Sequence, residues 1–290
     1  MTKTSKLTIA SIAACNYLPR ARVMAQSLRK YHPGVEVELL LVDSEDYLPI
    51  QAEPFHISPL TSARVPRLGS FIKRYTLKQR CSALKPFWLQ SLLDRGLDAV
   101  LFLDPDTLIT ANLDPLLTAI QQHPLLLTPH MLRQPLSNNP RQREQAILQA
   151  GIFNAGLIGI SECPEARQFL AWWQKRLETH AQDSIAQGMY YDQRWLDLVP
   201  ALFQGTFVLR DSGYNVAYWN LAERPLSLRA GLYYAGESLC RVIHFSGYEP
   251  DQTEYLSRHA DWIEPSEDDV LMQIIEDYRQ RLQRAGASSG

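Results

Sequence analysis

Residues 99–106 read Ala-Val-Leu-Phe-Leu-Asp-Pro-Asp, an apolar run that passes directly into two aspartates separated by one proline. A short apolar run of this kind is expected of a strand covered on both faces of a parallel sheet. In extended backbone, side chains two positions apart project to the same side, so Asp104 and Asp106 converge just beyond the carboxyl end of that strand. Ligands of open α/β sheets bind at that edge. Paired carboxylates there suit a hard divalent cation, Mn²⁺ or Mg²⁺, whose remaining ligands are supplied by phosphate oxygens of a bound nucleotide. An Asp-x-Asp also arises by chance in a chain of this length, and a solvated turn closing a strand has the same pattern. Position is what gives the pair weight.

Working outward from this segment, strands and helices alternate. Leu7 to Ala14 is β-leaning; Asn16 to Pro19 breaks it, and a helical pattern through Val23, Met24 and Leu28 follows until Pro33-Gly34. Val35 to Val42 forms a second strand that closes on Asp43 in the acidic turn 43–46. The proline-dotted stretch from Pro49 to Pro66, with the basic run Arg67 to Arg80, is too irregular for a long element and is expected to be a mobile margin of the active site. Ser82 to Arg95 has helical spacing and leads into the Ala99–Leu103 strand. Thr107 to Thr110, Leu125 to Thr128 and Gly151 to Ile160 are further strands; Asp114 and Pro164 open helices. The second half is looser: Tyr190 to Val199, Thr206 to Arg210, an aromatic loop Tyr214 to Trp219, a strand Arg241 to Phe245 and a last helix Ser266 to Arg284, followed by a frayed tail from Ala285. The pattern predicts an α/β fold of nucleotide-binding, Rossmann-like type, with a mostly parallel central sheet and a C-terminal helical extension. No linker or repeat divides it, so residues 1–265 are taken as one domain and 266–290 as the C-terminal helix and flexible tail.

Composition narrows the function. The chain has 290 residues, 46% hydrophobic and 21% charged, with a net charge of −2, so it carries no basic excess for nucleic acid. No apolar run is long enough for an integral membrane segment, and the polar start lacks a signal region, which places the expected location in the cytoplasm. The cysteines, Cys15, Cys81, Cys163 and Cys240, stand singly, as buried structural thiols do. Walker, G-x-G-x-x-G (after the first strand) and G-x-S-x-G signatures are missing from the sequence, so kinase, dehydrogenase and α/β-hydrolase readings lack their signatures, and H-E-x-x-H is absent too.

Further segments carry chemistry-bearing residues. His244 ends an apolar run and opens His-Phe-Ser-Gly; its imidazole would complete an oxygen-rich metal site, and Gly247 would admit a phosphate close to the backbone. A structural histidine fits the same position. In Phe153-Asn154-Ala155-Gly156 an amide and small residues interrupt a strand, which permits close approach of a sugar or else marks a bulge. In Tyr191-Asp192-Gln193-Arg194, Asp192 is either a helix cap or a carboxylate of a site. Lys73, Arg74, Lys78, Arg80 and Lys85 could neutralise phosphate or be solvated.

Together, and in this order, the segments after the first strand (Asn16-Tyr17), Leu103-Asp104-Pro105-Asp106, Phe153-Asn154-Ala155-Gly156, Asp192-Gln193 and His244-Phe245-Ser246-Gly247 resemble the GT-A-fold glycosyltransferases. They are most similar to the retaining glycosyltransferase family 8, the galactosyltransferase and glycogenin-like group, over roughly residues 7 to 250. The resemblance implies that Asp104, Asp106 and His244 bind Mn²⁺ (or Mg²⁺), that Asp192 and Gln193 are catalytic, and that Ala13, Asn16, Tyr17, Asp43, Lys85, Asp104, Asn154, Ala155, Gly156 and Gly247 contact the nucleotide-sugar donor. A UDP-sugar donor, a hexosyl transfer to an acceptor hydroxyl of a glycan, lipid or protein, and retention of configuration are implied with it. Two positions depart from the family pattern. Ala14 stands where an acidic residue precedes the tyrosine, which bears on uracil recognition. Pro250 stands where a lysine follows His-x-x-Gly-x-x, which shifts phosphate neutralisation to Arg80 or Lys85. The alternatives are a sugar nucleotidyltransferase, against which Ala13 to Arg22 contains no glycine-rich loop, and a non-catalytic carbohydrate-binding protein whose aromatic segments, Tyr214 to Trp219 and Tyr233-Tyr234, stack on sugars. The walls of the acceptor cleft are expected in Pro54 to Tyr75 and in the segment after Pro129, with Arg133, Asn138 and Asn139.

Overall fold

In the computed structural model, residues 6–43, 52–134, 140–251, 256–259 and 269–286 are described. The first turn of the chain is β1 (Leu7–Ala13), α1 (Leu18–Tyr31) and β2 (Glu36–Leu41), the βαβ unit predicted. After β3 (His56–Pro59), helices α2 (Leu68–Arg74), α3 (Leu77–Ala83) and α4 (Lys85–Leu93) lead to β4 (Ala99–Leu103). Then come β5 (Thr107–Ile109), α5 (Asp114–Gln122), β6 (Leu125–Pro129), α6 (Pro140–Ala150), β7 (Phe153–Ser161) and α7 (Pro164–Leu177). The remainder comprises β8 (Asp183–Ser184), β9 (Met189–Tyr190), α8 (Val199–Leu202), β10 (Thr206–Val208), β11 (Leu226–Arg229), β12 (Leu232–Ala235), β13 (Ser238–Leu239), β14 (Val242–His244) and α9 (Asp269–Arg284).

The central sheet has seven strands in the order β10-β6-β7-β4-β1-β2-β3. Pairings β1–β2, β1–β4, β2–β3 and β6–β10 are parallel, whereas β7 runs antiparallel to both β4 and β6. Side chains alternate across this sheet as strand geometry demands. Val100 and Phe102 join one core with Trp88 of α4 and Trp173 of α7, and Leu101 and Leu103 join a second core with Leu28 of α1 and Leu116 of α5. A third cluster closes the end of the molecule, where Leu271, Ile274, Tyr278 and Leu282 of α9 pack on Val23 of α1 and on Phe245 and Tyr248. No helix among the described residues is long and apolar enough to cross a membrane.

Several local expectations are corrected. The basic stretch up to Arg80 is not an irregular margin: it forms α2 and α3, the latter opened by a reciprocal capping box between Thr76 and Gln79. The single helix expected over Ser82–Arg95 is divided at Leu84, because Pro86 has no N–H and its ring disfavours helical backbone just before it. Tail residue Ala285 is buried rather than frayed, and its carbonyl accepts from Arg22 Nη1 at 2.9 Å. Cys15, Cys81 and Cys163 are only partly buried, and Cys240 alone of the four cysteines is fully enclosed. The acidic turn after Asp43, Asn138 and Asn139, and the start of the last helix at Ser266 lie outside the described residues.

The segment after β10 is held by a buried ion pair that the sequence pattern did not indicate. Arg224 pairs with Glu223 at 2.8 Å and donates to the carbonyl of Tyr214 at 2.9 Å, while the Glu223 carboxylate accepts the backbone N–H groups of Leu132 (3.0 Å) and Arg133 (2.7 Å). Truncating one member of a buried pair leaves the other charged and enclosed. Arg224→Ala is therefore expected to lower unfolding stability by about 3 kcal/mol, read as a fall in the urea midpoint at unchanged slope.

Candidate active site

The pairing of β4 with β7 decides the geometry. Leu103 lies opposite Leu157, and one step further the N–H of Asp104 donates to the carbonyl of Gly156 at 2.8 Å. This register sets the end of β4, with its two aspartates, directly beside Asn154-Ala155-Gly156 at the start of β7. A side chain at Gly156 would intrude: a Cβ there would sit 2.5 Å from His244 Cε1 and 2.7 Å from Asp104 Oδ2.

His244 arrives from β14, which pairs antiparallel with β5 immediately after the Asp-Pro-Asp turn. Its Nε2 lies 3.1 Å from Asp106 Oδ1 and 3.8 Å from Asp104 Oδ2, and the candidate ligand atoms of Asp104, Asp106 and His244 all fall within 4.8 Å of one another. Burial disfavours a charged imidazole, but Asp106 and Asp104 outweigh it and hold the His244 pKa above its ordinary value. Burial likewise opposes ionisation of Asp106, and His244 with Arg20 overrides it and holds that carboxyl below the usual range. On the far side of the ring, His244 Nδ1 and Asn215 Oδ1 are 3.0 Å apart. Since an amide oxygen only accepts, Nδ1 carries the proton and Nε2 faces the carboxylates. Two carboxylates and an imidazole nitrogen in this arrangement fit Mn²⁺ or Mg²⁺.

Lys85, at the first position of α4, occupies the other side of Asp104. It is 6% exposed, and its Nζ lies 3.0 Å from Asp192 Oδ2, 3.4 Å from Asp104 Oδ1 and 3.0 Å from the carbonyl of Ala155. Burial would lower the Lys85 pKa, yet the two carboxylates more than offset it and the net direction is upward. For Asp192 burial wins over the attraction of Lys85 and raises its pKa. Asp192 does not cap the short 3₁₀ turn that follows it, since its side chain makes no cap hydrogen bond.

Asn154 connects the two halves. Its Oδ1 accepts from the Gly156 N–H (2.9 Å) and from Asn215 Nδ2 (3.2 Å), while its Nδ2 lies 3.3 Å from His130 Nε2 and 3.5 Å from Gln193 Oε1. Gln193 Nε2 in turn donates to the carbonyl of Ala150 at 2.8 Å. Asn215 and His130 were not singled out by the sequence. Asn215 sits fully buried at φ 54°, a left-handed conformation that asparagine tolerates, inside a loop whose aromatic residues dominate its pattern.

One cavity of about 810 Å³ is lined by Lys85, Asp104, Asn154, Asp192, Gln193 and His244, and also by Ala155 and Gly156. The other candidates sit at its margin or elsewhere. Ala13, Asn16, Tyr17 and Asp43 lie at the carboxyl ends of β1 and β2, where the Asp43 carboxylate accepts the Cys15 N–H at 2.9 Å. Tyr17 carries the Arg20 guanidinium over its ring at 4.4 Å; burial first and then Asp106 raise its pKa, so this end adjoins the carboxylate cluster. Gly247 adopts φ 72°, and a Cβ there would lie 2.6 Å from the His259 ring. Arg80 does not line the cavity, and its Nε donates to the carbonyls of Ile72 and Tyr75. Pro54 to Tyr75 does not line the cavity, because Phe71 and Tyr75 turn into the core; Lys78 and Ser82 of α3 form that wall instead.

The fold is that of the GT-A glycosyltransferases, with the paired aspartates at the edge of β4. No protein-family model matches the chain. Two Bacillus subtilis (strain 168) proteins are similar along most of it. The uncharacterized protein YfnD is 27% identical over 254 residues, 84% of this chain and 78% of that one. The uncharacterized protein YfnF is 22% identical over 247 residues, 81% of each. Among solved structures, the galactosyltransferase LgtC in complex with donor and acceptor sugar analogs aligns with a TM-score of 0.53 and 18% identity, covering 96% of this chain and 95% of that one. The glycosyltransferase GlyE of Streptococcus pneumoniae TIGR4 aligns with a TM-score of 0.54 and 15% identity over 96% of this chain and 63% of that one.

The glycine at 156 yields one expectation. Gly156→Ala displaces the His244 ring or the Asp104 carboxylate, so Mn²⁺ is expected to raise the melting temperature of the wild type and not that of the variant, measured by thermal shift with and without the metal. His130 yields another. Burial pushes its pKa down to about 4, below the ordinary 6.5, so the folded protein holds it neutral while the unfolded chain protonates below pH 6.5. Its contribution is therefore fully present above pH 6.5 and is lost as pH falls towards 4, about 3 kcal/mol in all. His130→Gln should flatten the fall in unfolding free energy between pH 6.5 and 4 by that amount.

Proposed function

We propose that this protein is a metal-dependent glycosyltransferase that moves a hexosyl group from a nucleotide diphosphate sugar, with a UDP-sugar as the first donor to test, to an acceptor hydroxyl with retention of configuration. The observation that carries this reading is the meeting, at the carboxyl end of β4 and the amino end of β7, of the Asp104–Asp106–His244 cluster with the Lys85–Asp192 ion pair and the Asn154–Gln193 amides. Asp104, Asp106 and His244 would hold Mn²⁺ or Mg²⁺, which when bound supplies Lewis-acid stabilisation of the charge building on the leaving diphosphate.

The remaining work falls to the chain itself. Lys85 holds the Asp192 carboxylate in one position and adds positive charge beside the carboxylate cluster, at the point where a diphosphate group brings negative charge. Asp192, enclosed and at 3.0 Å from Lys85 Nζ, is placed to support positive charge at the anomeric carbon, as a nucleophile or as an electrostatic stabiliser. Gln193, tied to the carbonyl of Ala150, retains an N–H and a lone pair for sugar hydroxyls, and Asn154, whose amide is engaged by Gly156, Asn215, His130 and Gln193, borders the sugar site and holds Gln193 in place. Asn215 positions His244 through Nδ1.

With Mn²⁺ and a panel of nucleotide sugars, the wild type is expected to release a nucleoside diphosphate. Chelation should stop the release, and Asp106→Asn should lower it by about 10²-fold. Undiminished release by Asp106→Asn would remove the metal assignment, and pyrophosphate as the product would replace glycosyl transfer with nucleotidyl transfer.

A further inference from the structure

Helix α6 is 11 residues long and buries none of its side chains. Helices this short are marginal in water unless a partner covers one face. The face that needs covering is identifiable: Gln142, Arg143, Ala146, Ile147, Gln149 and Ala150, at the i, i+4, i+7 spacing of one helical stripe, all line the cavity that holds Asp104, Asp192 and Gln193. Towards its end the stripe is aliphatic, and Ile185 and Met131 line the same cavity. Ile185 is 45% exposed. Aliphatic side chains gathered at the mouth of a cavity, beside polar groups at its base, mark a binding surface.

The helix is also fixed relative to the chemistry. The carbonyl of Ala150 accepts from Gln193 Nε2 at 2.8 Å, and the carbonyl of Ile147 accepts the Gly151 N–H at 2.7 Å, so the aliphatic stripe starts one residue from the amide beside Asp192. From Ala150 back to Arg143 the stripe extends about 10 Å along the helix. Of the aromatic lining residues, Trp219 and Tyr218 lie on the His244 side, where Trp219 packs edge-on to the imidazole at 5.3 Å, and Tyr190 and Tyr191 adjoin Asp192; none of them belongs to the α6 stripe.

We propose that this wall is the aglycone subsite of the acceptor, and that the acceptor is a sugar carried on an alkyl chain: its hydroxyl lies towards Asp192 and Gln193, and its chain runs along Ala150, Ile147 and Ala146 of α6 opposite Ile185. The word acceptor rests on the glycosyltransferase reading above; the aliphatic wall itself does not. An alkyl chain removes the aliphatic stripe from water, and the gain grows with each methylene buried.

The test is calorimetric binding of methyl, phenyl and n-octyl β-glucosides below the micelle concentration. The octyl glycoside is expected to bind at least about tenfold more tightly than the methyl glycoside, with the phenyl glycoside near the methyl one. In the double variant Ile147→Gln, Ile185→Asn that preference should shrink to less than about threefold. Leu148→Gln, on the same helix but 58% exposed and outside the cavity lining, should keep it. Equal or undetectable binding of the glycosides, a phenyl glycoside as tight as the octyl one, or a preference that survives the double variant overturns the proposal. So does a wild-type dimer, seen by sedimentation, that the double variant dissociates, since a second copy then covers the face. Nucleoside diphosphate release by the wild type is read separately: its absence with the octyl preference intact overturns the transferase reading alone, and the converse overturns the alkyl subsite alone.

Discussion

The N–H of Asp104 and the carbonyl of Gly156, 2.8 Å apart, bind the residue just beyond one strand to the opening half of another that runs the opposite way. A single-residue slip in this register would turn every side chain on β7 to the other face. It would carry Asn154 away from the aspartates and would put a side chain where only hydrogen now fits between His244 and Asp104. The insertion of an antiparallel strand into an otherwise parallel sheet thus builds the site, because it brings a second chain end to the carboxyl edge of β4.

The charges gathered there are mutually dependent. Asp104 lies between two basic side chains, with Lys85 Nζ at 3.4 Å from one oxygen and His244 Nε2 at 3.8 Å from the other. Desolvation acts against all of these groups, and it is overcome for Lys85, His244 and Asp106 only because opposite charges are within a few ångströms. Enclosed ion pairs of this sort are poor sources of stability compared with apolar packing. Their concentration where this cavity meets the sheet edge accords with a role in binding and chemistry.

Much of the frame was legible along the chain. The apolar Ala99–Leu103 segment appears as β4 with the expected bounds, and Asp104, Asp106 and His244 do come together. The Asp192 carboxylate, equally readable as a cap, is instead an ion-pair partner, because Lys85 reaches it from a helix whose start is set by Pro86. Other features left a weaker trace. Helices α2 and α3 are rich in polar and basic residues and carry few apolar positions, so periodicity did not separate them from a loop. Helix α6 gathers its apolar residues, Ala146, Ile147, Leu148 and Ala150, near its end, so no amphipathic period runs along its whole length. Asn215 and His130 carry no local pattern at all, since each is defined by partners far away in the chain.

By itself the sequence determined the alternation of strands and helices, the apolar strand that ends in Asp-Pro-Asp, and the short list of residues able to bind a cation or a sugar. Those are local properties, set by side-chain size, polarity and backbone preference over a few neighbouring positions. Only the tertiary structure decided which of them meet: that Gly156 lies against Asp104, that Asn215 orients His244, that Gln193 anchors α6, and that Arg80 lies outside the cavity with its Nε on backbone carbonyls. Strand register, burial and the hydrogen bonds of a folded core couple positions tens to more than a hundred residues apart, and no local pattern encodes that coupling.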